Sequence, residues 1–510
     1  MLELKISDEL LSIDVLRQVW EQQVSISLSS SCWEKVEASH ATVLRVLASG
    51  KTVYGVNTGF GLLASTRIAD NDLAKLQSNL VLSHSTGVGD FISDEIVRLI
   101  LVSKIYSLSR GFSGVSRSTL EALINLLNHN ALPCIPVKGS VGASGDLAPL
   151  AHMSAALIGY GYIKLDGECL PASEALDKLG LRAIELGPKE GLALMNGTQV
   201  SNALALHGLL KAEIVMASAI VTGSLATEAI KGSDTPFDKR IHDLRGQRGQ
   251  IELAGIYRKL MNGSEIRESH MECNRVQDPY CIRCQPQVMG AIWQQLKHAA
   301  QVLITEANAV TDNPLVFSDP DEILSGGNFH AEPVGLVADQ LAVAIAEIGA
   351  LAERRIALLV DPHMSGLPAF LIAKPGLNSG FMIAHVTAAA LASENKMLSH
   401  PGSVDSLPTS ANQEDHVSMA THAARRLHDM VENVEHIIAI EWLAASQGLE
   451  FHRPLQSSEV LEQAYSNLRK HVPALDEDRF LATDITLAKD LIVSGELAGL
   501  CDCMLSIEVA

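Results

Sequence analysis

From Gly197 to Ile230 the chain is almost wholly apolar, and small side chains such as Ala203, Ala205, Ala217, Ser218 and Ala219 recur through it. A stretch this long with no polar face must be surrounded by other elements, and small residues let neighbouring helices come close. It is expected to be the central helix of a bundle. Similar segments run from Met289 to Val310, Pro333 to Leu359, Phe381 to Leu398 and Ser418 to Gln447. Several exceed the ~10–14 residues usual for globular helices, and strand-like alternation is scarce. The expected fold class is therefore mainly α, a long-helix bundle core with a smaller mixed N-terminal region. No repeat, low-complexity tract or Pro-rich linker marks a second unit, so a soft boundary near Asn196 divides residues 1–196 from residues 197–510. Polar loops at Arg240–Gln250, Gly263–Tyr280, Ser318–His330 and His400–Asp415 are expected to carry most of the chemistry.

Composition removes several classes of function. With 510 residues, 47% of them hydrophobic, the chain can bury a large core. A net charge of -20 opposes nucleic acid or an anionic membrane as partner. The first residues carry Glu3, Asp8 and Glu9 where an export signal is basic and then apolar. Charges at Asp339, Glu347, Glu353, Arg354 and Arg355 interrupt the Val337–Val360 stretch as a membrane span. A cytoplasmic location is expected. Eight scattered cysteines suit a reducing compartment. Cys281 and Cys284 have the two-residue spacing of a zinc or redox pair but lack a second tight pair, so no metal site is expected.

The run Gly142-Ala143-Ser144-Gly145-Asp146 offers a serine in an unusual setting. A nucleophile elbow needs a second glycine where Asp146 stands, and a P-loop needs Lys then Ser or Thr after its last glycine. Neither fits. A backbone reaction does: the unhindered Gly145 nitrogen can close onto the Ala143 carbonyl carbon in a tight bend, and the Ser144 hydroxyl can then be eliminated, leaving a conjugated alkene. As plain structure, Asp146 can cap a helix over the apolar Leu147–Leu157 segment, with Pro149 in its first turn. That helix would direct partial positive charge at the ring.

The longer run Gly139-Ser-Val-Gly-Ala-Ser-Gly-Asp-Leu-Ala-Pro-Leu-Ala-His-Met153 resembles the signature of the aromatic amino-acid ammonia-lyases. The resemblance extends from about Thr52 to Gln447. It implies that Ala143-Ser144-Gly145 becomes 4-methylidene-imidazol-5-one without an obligatory metal, and that the chain forms a homotetramer with active sites shared between subunits. The loop Tyr54-Gly55-Val56-Asn57-Thr58-Gly59-Phe60-Gly61 resembles the family's tyrosine loop, which makes Tyr54 a candidate base; alone, it reads as a tyrosine packing a turn. In Gln277-Asp278-Pro279-Tyr280-Cys281-Ile282-Arg283 a helical turn puts Tyr280 and Arg283 on one face. Arg283 offers the bidentate fork that an α-carboxylate prefers, and Tyr280 would stand beside the reacting carbons. The resemblance adds Gln277 as a substrate or ring contact. It places Asn196, otherwise a helix cap, against the ring carbonyl, and Phe329, otherwise core filling, over the electrophile.

Two residues select the substrate. Glu414 can accept a hydrogen bond from an imidazole N–H, which phenyl and phenol rings do not offer. Relatives acting on phenylalanine or tyrosine carry glutamine at the corresponding position. His84, in Leu82-Ser83-His84-Ser85, resembles the histidine branch, although tyrosine-specific relatives also carry a histidine there. The expected reaction is conversion of L-histidine to trans-urocanate and ammonia. The alternatives are a tyrosine ammonia-lyase or aminomutase, and a catalytically inactive helical scaffold. The segment from Glu450 onward carries no motif.

Overall fold

A computed structural model describes residues 1–53, 55–59, 67–270 and 276–506. The Gln199–Ala229 helix is buried along its length except at Lys211 and Ile214. At ~1.5 Å per residue its 31 residues span about 46 Å. Around it pack Gln285–Ala307, Glu332–Val360 and Ala420–Glu450, with Met382–Leu398 against the last two. The expected long helices are thus present, and the chain is a mainly α bundle. Gln199–Ala229 and Glu332–Val360 are long and apolar enough to cross a membrane, and both lie largely inside the bundle.

Small side chains at the crossings allow close approach. A Cβ on Gly223 would lie 2.2 Å from Gln285 Oε1, and one on Gly208 would lie 2.8 Å from Leu427. Where the three longest helices meet, Arg355 and Glu441 form a fully buried ion pair, with Arg355 Nη2 2.9 Å from Glu441 Oε2. Thr222 on the central helix donates to the same oxygen at 2.6 Å. One polar cluster therefore ties three helices in register.

The N-terminal region is mixed, as expected. Its strands pair in small separate sheets: parallel Leu2–Ile6 with Val24–Leu28, antiparallel Val88–Phe91 with Pro136–Lys138, and the three-stranded set Leu132–Pro133, Tyr162–Leu165 and Glu168–Pro171. The Pro136–Lys138 strand runs directly into Gly139, which delivers the 139–146 segment to the N-terminus of the Leu147–Leu157 helix.

The expected loop at Arg240–Gln250 is instead parts of two helices, Lys239–Arg245 and Arg248–Leu260. Local chemistry explains the difference. The Asp238 side chain caps the Arg240 N–H at 2.9 Å, and Gly246 ends the first helix at φ 75°. His242, polar by type, is buried, with hydrogen bonds to the Pro236 carbonyl and Gln250.

Candidate active site

The Ala143-Ser144-Gly145 segment is a tight turn. Gly145 N–H donates to the Gly142 carbonyl at 3.3 Å, and φ is positive at Gly142 (83°), Ser144 (53°) and Gly145 (76°). Such backbone is strained for a serine and natural for glycine. A Cβ on Gly145 would lie 2.2 Å from the Gly197 carbonyl oxygen, and one on Gly142 would lie 2.2 Å from Ser418 Oγ. The turn is thus cradled by two distant segments that admit no side chain at either glycine. Ser144 Oγ donates to Asn196 Oδ1 at 2.9 Å.

Three helix N-termini converge here. Asp146 stands at the start of Leu147–Leu157 but does not cap it. Its fully buried carboxylate reaches across instead, accepting from Ser201 N at 2.7 Å and Ser201 Oγ at 2.9 Å at the start of the central helix. It also accepts from Thr421 Oγ1 at 2.6 Å, in the first turn of Ala420–Glu450. Burial pushes the Asp146 carboxyl above the usual carboxylate range, against these hydrogen bonds. The third helix docks through its Met419 N–H, which donates to the Val141 carbonyl at 3.0 Å. The partial positive charge expected behind the turn from one helix therefore comes from three.

A second layer holds Asn196. Its Nδ2 donates to the Asn313 carbonyl at 2.9 Å and to Asp312 Oδ1 at 3.3 Å. Lys104 Nζ donates to the Asn196 carbonyl at 2.6 Å, and burial lowers this ammonium to about 8. Asn196 ends the short Glu190–Met195 helix, while Thr198 takes the cap position of the central one.

Beside the turn lies a cavity of about 300 Å³ lined by His84, Ala143, Val141, Ala148 and Thr409. His84 ends the Leu73–His84 helix, and its Nδ1 donates to the Leu80 carbonyl at 2.8 Å. A neutral ring held this way leaves Nε2 as an acceptor. Glu414 is joined to the cavity wall through Thr409, whose Oγ1 donates to Glu414 Oε2 at 3.0 Å, with Ser410 Oγ on the same oxygen. The loop carrying Glu414 is anchored by Asp339, which accepts from Gly402 N at 3.0 Å, Ser403 N at 2.9 Å and Ser403 Oγ at 2.6 Å, and from Arg426.

Phe329 is half-buried in the turn before Glu332–Val360. The neighbouring His330 ring stacks on His416 at 5.8 Å, joining that turn to the Glu414 loop. His330, Glu332 and His416 bring their ligand atoms within 4.8 Å of one another. Cys281 and Cys284 are free thiols outside this group.

Gln277 and Arg283 line a different cavity, about 600 Å³, with Asp234, Arg267, His270 and Cys284. The expected helical turn is present at Tyr280–Arg283, and the guanidinium lies 4.4 Å from the Tyr280 ring centre. Arg283 Nε is buried with no hydrogen-bond partner among the described residues, and Tyr280 is 71% exposed. Within one chain, then, the turn, Asn196, His84 and Glu414 form one group, and Gln277, Tyr280 and Arg283 form another. Tyr54 lies outside the described residues.

Sequence reasoning missed Gly197, Ser418, Thr421, Lys189 and Asp312. A charge at Lys104, the lone one between Leu99 and Ser109 of its helix, was the one visible signal.

The model of the family described as "Aromatic amino acid lyase" matches residues 11–470. A histidine ammonia-lyase of Photorhabdus laumondii is 58% identical over 501 residues, covering 98% of both chains. One from an Enterobacter species is 59% identical over 491 residues, covering 96% of this chain and 97% of its own. Among solved structures, histidine ammonia-lyase from Trypanosoma cruzi superposes with a TM-score of 0.91 at 39% identity over 98% of this chain and 95% of its own. A tyrosine aminomutase from Streptomyces globisporus gives 0.93 at 34% identity over 100% of both. A family match spanning nearly the whole length, on a chain whose Ala-Ser-Gly turn is cradled as described, means that the protein belongs to the aromatic amino acid lyase family.

Proposed function

We propose that this protein is a carbon–nitrogen lyase that eliminates ammonia from L-histidine to give trans-urocanate. The identity of nearly 60% to histidine ammonia-lyases over almost the full length carries the reading. The alternative on the same scaffold, action on tyrosine, is opposed by Glu414, whose charged acceptor suits a ring N–H, a donor that a phenol carries only outside its ring as the O–H.

The turn at 143–145 fits a methylidene-imidazolone precursor: Gly145 N is already curled back toward Gly142, and the cradle leaves no room for a Cβ. Its formation joins Gly145 N to the Ala143 carbonyl carbon with loss of one water, and loses a second as the Ser144 hydroxyl departs with the α-proton. The group supplies an electrophilic alkene able to take a substrate nucleophile. The surrounding residues do the rest. Arg283 binds the α-carboxylate through its unpartnered edge. Glu414 takes the imidazole N–H, and His84 Nε2 faces the same side chain. Tyr54 or Tyr280 accepts the β-proton, while the electron pair becomes the new double bond and the amine leaves as ammonia. Asn196 holds the ring, Gln277 the substrate, and Phe329 shields the electrophile.

We further propose a cytoplasmic homotetramer with shared active sites. The exposed apolar side chains Leu336, Val343, Ile383, Val386 and Met397, on two neighbouring long helices, suit cover by a second copy. Two measurements test the activity and the ring. Purified protein given L-histidine should develop the ultraviolet absorbance of a conjugated imidazole acrylate, and tyrosine should yield no product. The intact chain should weigh about 36 Da less than its sequence, two waters. An unmodified mass with no turnover would favour an inactive scaffold.

A further inference from the structure

We infer that Asp312, held by Lys189, fixes which way the Asn196 amide faces and is thereby a positioning residue for ring closure at Ser144. The inference rests on the reading that residues 143–145 form the ring. Lys189 and Asp312 pair at 2.7 Å with side chains 0% and 2% exposed, and the chemistry above uses neither. A carboxylate facing an ammonium has no proton to give, so both of its oxygens accept. Oδ2 takes Lys189 Nζ, while Oδ1 takes the Asn313 N–H at 2.7 Å and Asn196 Nδ2 at 3.3 Å.

An amide is nearly symmetric in shape, so only the polarity of its partners decides which end points where. On one side Asn196 faces two acceptors, Asp312 Oδ1 and the Asn313 carbonyl. Turning the amide over would set its oxygen against both and its NH₂ against the Ser144 hydroxyl. Asp312 Oδ1, held by Lys189, and the Asn313 carbonyl together direct Asn196 Oδ1 toward Ser144, where it accepts the Oγ–H at 2.9 Å. Lys104 pins the backbone of Asn196 from behind. That one hydrogen bond holds the side chain of a serine whose backbone sits at φ 53°, within the turn that curls Gly145 N–H back onto the Gly142 carbonyl. A charge pair remote from the substrate thus reaches the turn through a single amide.

The test uses opposite effects in one series. D312N supplies one oxygen where the carboxylate supplied two. The buried Lys189 ammonium claims it, the new NH₂ faces Asn196, and with only the Asn313 carbonyl left to oppose it a share of the Asn196 amides turns over. Ring closure is expected to slow roughly tenfold, read as unreacted intact mass in soluble, helical protein. Adding K189M frees the amide oxygen to face Asn196 and restores dehydration. A purely structural role predicts the reverse, since the second substitution removes more of the native interior. If D312N gives no soluble chain, the comparison is made without buried charge. D312N/K189M should dehydrate fully, and D312L/K189M, which offers Asn196 no acceptor at position 312, should lag by a similar factor. Complete dehydration in D312N, or equal ring content in the two double variants, overturns the inference. Wild-type protein at its unmodified mass would instead overturn the ring itself.

Discussion

Glu414 commits one of its two oxygens to the protein. Thr409 and Ser410 both donate to Oε2, and Oε1 has no hydrogen bond among the described residues. The carboxylate is thus oriented by its own loop and keeps one acceptor for an outside donor. An amide at this position could satisfy the hydroxyls with its oxygen, but it would then offer the substrate an NH₂. A charge-assisted hydrogen bond is worth about 1.5–3 kcal/mol. E414Q should therefore lower kcat/KM for histidine by about ten- to a hundredfold. Its intact mass should still show the full dehydration, because the Glu414 side chain hydrogen-bonds Thr409 and Ser410 and none of the three residues that close the ring. Unchanged histidine turnover would remove the basis for assigning the substrate. Which residues matter was legible here only in part. Ser144, Asn196 and Glu414 stand in motifs, but Lys189 and Asp312 lie 123 positions apart and become partners only when the fold buries both.

At the scale of elements, the bundle is held by sparse polar contacts set in a large apolar interior. Arg355 and Glu441 are both fully buried and join two long helices, and Thr222 ties in the central one. Removing one charge strands the other: E441Q should destabilise the protein by about 3–5 kcal/mol, read as a lower denaturant midpoint. Replacing both residues by apolar side chains of similar size should restore most of that loss. A double variant no more stable than the single one would mean that the contact contributes by geometry rather than by charge balance. The long helices themselves were legible because apolar runs far beyond one strand's length admit no other buried form. The Lys239–Arg245 and Arg248–Leu260 helices were not, since they are rich in charge and show their identity only through the Asp238 cap and the left-handed Gly246 stop. Likewise, the convergence of three helix N-termini at Asp146 is a tertiary fact. Sequence offered the one helix adjacent to the turn and gave no sign that Ser201 and Thr421 would arrive beside it.

At the scale of the whole molecule, one chain presents the two halves of the proposed chemistry in separate places. The ring-forming turn opens on a cavity with His84 and Thr409, whereas Arg283 lines another with Asp234 and Arg267. A histidine molecule has its carboxylate, amine and imidazole within a few ångströms of one another, so a single substrate needs both groups close together. The proposed closed symmetric assembly would supply this by setting the Arg283 surface of one copy over the turn of another. The exposed Tyr280 ring would then be covered by the neighbour rather than left to water, beside the unpartnered Arg283 Nε. Chains carrying S144A and chains carrying R283A are each expected to be inactive as pure oligomers. Co-expressed with different affinity tags and purified through both, they should recover activity, because a site that draws its turn from one variant and its arginine from the other is intact. With random assembly about a quarter of the sites should be so formed. Mixed oligomers with no activity above either parent would mean that both halves must come from the same chain, and that the chain closes on itself to bring them together.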